Sequence, residues 1–156
     1  MILPADKRLK TIVSIYEEIY SLYREISSLP YETSDVGSFT NSLKKREEIM
    51  NFINEKSKII DIEKSQFLKD SSLESFTYKH LSNYDKTLSS NLKNIIKNIE
   101  LEIQKIESYR PKIISMLKEF QNSSLKEIAM ITNGKKIANS YTQKNICESR
   151  FIDQKK

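Results

Sequence analysis

Histidine, cysteine and paired carboxylates are the side chains with which this chain could do chemistry. His80 is the single histidine and Cys147 the single cysteine. They lie in different segments with no motif around either. A thiolate–imidazole pair works only if the fold brings the two together. A zinc site of thiolates and imidazoles fails on ligand count. Carboxylates occur as neighbours: Glu17 with Glu18, Glu47 with Glu48, and Glu100 near Glu102. Adjacent helical residues point in different directions, so such pairs do not converge on one atom. A di-metal carboxylate bundle needs a Glu-x-x-His pair, and Thr77 stands three residues before His80. With two glycines, Gly37 and Gly134, no glycine-rich phosphate cradle can be built. These residues predict a protein that is not an enzyme and holds no metal or cofactor.

The elements that would position such side chains are helices. Ile12, Ile15, Ile19, Leu22, Ile26 and Leu29 recur three and four residues apart. Leu88, Leu92, Ile95, Ile99, Ile103, Ile106, Ile113, Leu117 and Phe120 form a longer series of the same kind. An α-helix returns to one face every 3.6 residues, so each series is one stripe. The spacing predicts a first helix over 4–29, entered through Pro4 and Asp6 and stopped by Pro30. A second runs over about 38–64 and a third over about 85–120. Pro111 reads as a kink in the third, because the stripe stays in phase beyond it, with a fresh helix starting at Pro111 as the alternative. Residues 65–85 hold irregular apolar positions and at most a short helix. Asn133-Gly134 reads as a helix stop.

The expected architecture is all-α: an antiparallel bundle of three to four long helices over 1–133, followed by a polar, basic tail over 134–156. The tail has six cations and two anions, so most of the net charge of +5 resides there. A nucleic-acid binder would show its basic stripe on a structured face. Tyr141, Lys144, Arg150 and Phe151 could stack on and neutralise a single strand, but no recognition motif accompanies them. The abundance of Lys, Ile and Asn is also what AT-rich coding produces. A lone cysteine forms no internal disulfide and fits a reducing compartment. No signal peptide or membrane-spanning apolar run is evident, which points to a cytoplasmic protein.

Ile96, Ile114 and Met116 stand beside the main stripe of the third helix. A narrow two-helix seam uses only two positions per heptad. The surplus therefore belongs either to a multi-helix core or to a groove that awaits a partner helix. On this reading Ile103 faces the core, while Ile96 and Ile114 face outward.

Three stretches together resemble the FliT/FlgN-type flagellar type III export chaperones. LKKREEIMNFI over 43–53 is similar to the opening of their second helix, through Lys45 and Arg46. The striped segment 92–120 is similar to their long third helix. GKKIANSYTQKNICESRFIDQKK over 134–156 resembles the end of many FliT-like chains, through Tyr141, Ser149, Arg150, Phe151 and Asp153. The resemblance implies a cytoplasmic chaperone that covers the C-terminal helix of a late export substrate and prevents premature assembly. The implied partners are the filament cap protein or the hook-associated junction proteins, together with the export apparatus. A homodimer is a further option, and no membrane is involved. The client would lie on Ile96, Ile99, Ile103, Ile106, Ile114 and Leu117, with residues 125–137 as a lid. The alternatives are a helical coiled-coil adaptor and, more weakly, a nucleic-acid-binding module.

Overall fold

The computed structural model describes residues 4–30 and 35–150, with side chains described as far as Lys136. Four helices follow one another: α1 (Pro4–Ser28), α2 (Val36–Ser71), α3 (Tyr78–Tyr84) and α4 (Lys86–Arg150). Among the described residues there is no strand. The protein is an all-α bundle. It divides into two compact units, Met1–Pro111 and Lys112–Lys156.

Local chemistry accounts for the helix ends. Asp35 caps α2, its carboxylate accepting from the backbone N–H groups of Gly37 (3.3 Å) and Ser38 (3.1 Å). The Ser38 hydroxyl, and then these backbone bonds, hold the Asp35 carboxyl below the usual carboxylate range. Ser72 ends α2 in the left-handed region, at φ 58°. Thr77 caps α3 through the His80 N–H. Asp85 then does two jobs: its N–H closes α3 on the Leu81 carbonyl at 2.7 Å, and its carboxylate caps α4 through the Leu88 N–H at 3.0 Å.

Cross-links between helices fix the topology of the first unit. Arg8 reaches Glu63 and Asp70, Lys56 pairs with Glu18, and Lys45 pairs with Glu25, so α1 and α2 run antiparallel. The Tyr84 hydroxyl meets Asp6 and the Ser27 hydroxyl meets Glu102, so α4 runs parallel to α1. The result is an up-down-up bundle whose last turn is made through short α3.

Its core has two parts. Leu9, Ile12, Val13, Phe67, Leu81 and Leu92 bring together all four helices. Ile19, Ile26, Ile49, Ile53, Ile60 and Ile99 join α1, α2 and α4 further along. Each such side chain contributes roughly 1.5–3 kcal/mol on burial.

Several boundaries differ from those expected. α2 runs on to Ser71, because Phe67 lies one heptad beyond Ile60 and continues its buried series. α3 occupies part of 65–85. The expected stop at Asn133-Gly134 is not there: helix α4 includes both residues, and Gly134 does not adopt the positive φ of a cap. Pro111 also lies inside α4. Having no N–H, it leaves the Glu107 carbonyl without its i+4 donor. The compositional step at Gly134 and the division into units at Pro111 fall at different places.

Candidate functional site: surfaces for a partner helix

His80 Nδ1 lies 2.8 Å from the Ser75 hydroxyl, in the turn that leads into α3, where it ties down the loop. Cys147 falls on α4 beyond the described side chains. No group of three His, Cys, Asp or Glu that could hold a metal ion occurs among the described residues. No helix among them is long and apolar enough to cross a membrane.

The six apolar residues assigned to a client divide by environment. Ile99 is buried in the second core cluster, at 8% exposure, and Ile106 packs half-buried against it. Ile103, expected in the core, is exposed instead. At about 100° per residue, Ile103 stands about 40° round α4 from Ile99 and about 60° from Ile106, at the edge of the buried face. Ile96, expected to face outward, is half-buried against the first cluster. Ile114 and Leu117, in the second unit, are exposed. Of the family-motif residues, Lys45 is exposed and pairs with Glu25 at 3.6 Å, and Arg46 is half-buried on α2. Tyr141, Ser149 and Arg150 lie on α4 beyond the described side chains; Phe151 and Asp153 lie outside the described residues.

Two kinds of surface could receive a partner. The second unit carries Ile114, Leu117, Leu125, Ile128, Met130 and Ile131, exposed by 44% to 69%. Ile114 and Leu117 are three apart, as are Leu125, Ile128 and Ile131, the spacing of helix-docking anchors.

The first unit offers two neighbouring depressions where α3 meets α4. One, of about 320 Å³, is lined mainly by Phe76, Tyr78, Leu81, Leu92 and Ile96, with Lys64 at its edge. The Lys64 ammonium lies 5.0 Å from the Phe76 ring centre and 5.3 Å from that of Tyr16, held by the negative ring faces. The other, of about 370 Å³, is lined by Lys79, Lys86 and Lys93 with Ser82, Ser89 and Ser90. Tyr78 lines both. Burial pushes its phenol pKa up, with smaller contributions from Tyr16 and Glu100. Sequence reasoning missed this place, because α3 and the turn before it show no periodicity. The seven-residue recurrence of Lys79, Lys86 and Lys93 was the one visible signal.

The fold is an all-α bundle with exposed apolar and basic surfaces. Comparison of the chain with family models, with curated proteins and with solved structures finds no match.

Proposed function

We propose that this chain is a non-enzymatic, cytoplasmic helix-binding chaperone, and that its client is the C-terminal helix of a late flagellar export substrate. The observation that carries the helix-binding part is the row of exposed, helically spaced apolar residues on α4 from Ile114 to Ile131. Apolar surface in such amounts marks a place where another apolar surface belongs. The flagellar part rests on the resemblance of 43–53, 92–120 and 134–156 to export chaperones.

The physical task suits the fold. A subunit awaiting export must keep its polymerising helix from self-association. Covering that helix removes the apolar area that drives assembly. Release at the export apparatus calls for modest affinity, which a few aliphatic anchors supply.

Fluorescence anisotropy with labelled C-terminal helices of the filament cap and hook–filament junction proteins tests the proposal. Saturable binding of one of them by the full chain is expected. Failure of both to bind would end the flagellar reading. A second reading, a coiled-coil adaptor, draws on the same residues, which could zip two copies together. Sedimentation separates the two: a tight homodimer with no affinity for either helix favours the adaptor.

A further inference from the structure

We infer that the paired depressions between α3 and α4 form a recognition site for an acidic amphipathic helix, with an apolar anchor in one and its carboxylates in the other. The inference rests on the helix-binding reading only in taking the partner to be a helix.

The apolar depression is lined by Phe76, Tyr78, Leu81, Leu92 and Ile96, and its two polar residues are Lys64 and Thr77. It has the size and character to take one leucine or phenylalanine side chain. The adjoining depression gathers three ammonium groups, and no carboxylate lines either one. Lys79, Lys86 and Lys93 enter no ion pair among the described residues, whereas Arg8, Lys45 and Lys56 are each spent on an acid of a neighbouring helix. Uncompensated like charges in one concavity repel one another and favour an anionic visitor. Ser82, Ser89 and Ser90 add hydroxyl donors to the same depression, groups from which a ligand carboxylate can accept.

Tyr78 joins the halves. Its ring lines both depressions and Lys93 Nζ sits 5.9 Å from its centre, so anchor and acid must be close together on the ligand. On a helix, residues three and four apart are neighbours at about 5–6 Å. A leucine with glutamates three or four positions away meets that requirement. A helix with lysines in those places is repelled, so the lysines act as a filter for sign as well as a source of affinity.

The test uses the full chain, isotope-labelled for amide NMR, and two synthetic helical peptides of about four turns. Both share one leucine stripe; their polar positions are glutamate in one and lysine in the other. The glutamate peptide is expected to shift the amides of Tyr78, Lys79, Ser82, Ser89 and Lys93, and to bind about tenfold or more tighter than the lysine peptide. Added salt should shrink that difference. The triple variant K79E/K86E/K93E should reverse the preference, and K79Q/K86Q/K93Q should abolish it with the melting temperature unchanged. Equal binding of the two peptides by the wild-type chain would overturn the inference. So would shifts confined to residues 112–136, or binding of neither peptide while pyrophosphate shifts the same amides, which would make this a phosphate site. Flagellar helices play no part in the experiment, so their failure to bind would remove the proposed client and leave this site standing.

Discussion

The Tyr84 hydroxyl donates to Asp6 Oδ1 at 2.5 Å across 78 residues of sequence, while the Phe67 ring stands edge-on to the Tyr84 ring at 5.4 Å. Burial, and then the bond to Asp6, pushes the Tyr84 pKa up to about 12. A phenol that holds its proton more tightly in the folded state adds stability below its unfolded pKa near 10, and loses it as pH rises from there through about 12. Tyr84→Phe should cost about 1 kcal/mol at neutral pH. It should also flatten the alkaline fall in stability. Urea unfolding at about pH 8 and about pH 11 measures both.

Phe67→Ala should be among the most damaging single changes, at about 3–5 kcal/mol. Its side chain is fully buried, and its ring meets Phe76 at 5.7 Å as well as Tyr84. A loss under about 1 kcal/mol in thermal or urea melts would show that the first core cluster can close over the cavity.

Ile99 and Ile103 make a paired test of α4. Ile99→Asp buries a charge with no partner and should cost several kcal/mol. Ile103 is 37% exposed, so Ile103→Asp can turn its carboxylate toward water and should cost clearly less than Ile99→Asp. Equal effects would contradict the orientation of α4 in the first unit.

The Ile103 result shows what was legible and what was not. The apolar periods of α1, α2 and α4 were read correctly as helices, and Ile12, Ile19, Ile26, Leu92 and Ile99 take buried places in them. A stripe, however, reports only that a face is apolar. It does not report how many neighbours the face has. Ile103 stands at the edge of the buried face of α4, so Ile99 is covered and Ile103 is 37% exposed. The turn before α3 was unreadable for another reason: Ser75 and Thr77 hold it by hydrogen bonds rather than by apolar period. Gly134 misled because glycine favours helix ends without enforcing them.

Gly134→Ala follows from that correction. An added methyl group would meet nothing within 4 Å, and the backbone there is helical. The change should favour helix locally by about 0.5–1 kcal/mol. A rise in helical circular dichroism is expected, and a fall would restore Gly134 as a cap.

Leu125→Lys combined with Ile128→Lys should leave the melting of the first unit unchanged, since both side chains are exposed in the second unit. If the second unit binds the client, the same pair should weaken its anisotropy titration about tenfold or more. Unaltered titration would confine binding to the first unit.

The parallel register of α1 and α4 also governs when the chain can fold. Asp6 waits for Tyr84, and Ser27 for Glu102, each about half the chain away. The α1–α2 hairpin closes through shorter loops and can form early, whereas the core seals only when Leu92 and Ile99 arrive. A chain still on the ribosome, with α1 and α2 emerged and α4 still to come, would carry Leu9, Ile12, Ile19 and Ile26 incompletely covered. The late arrival of α4 thus makes this protein itself, for a time during synthesis, a chain in need of cover.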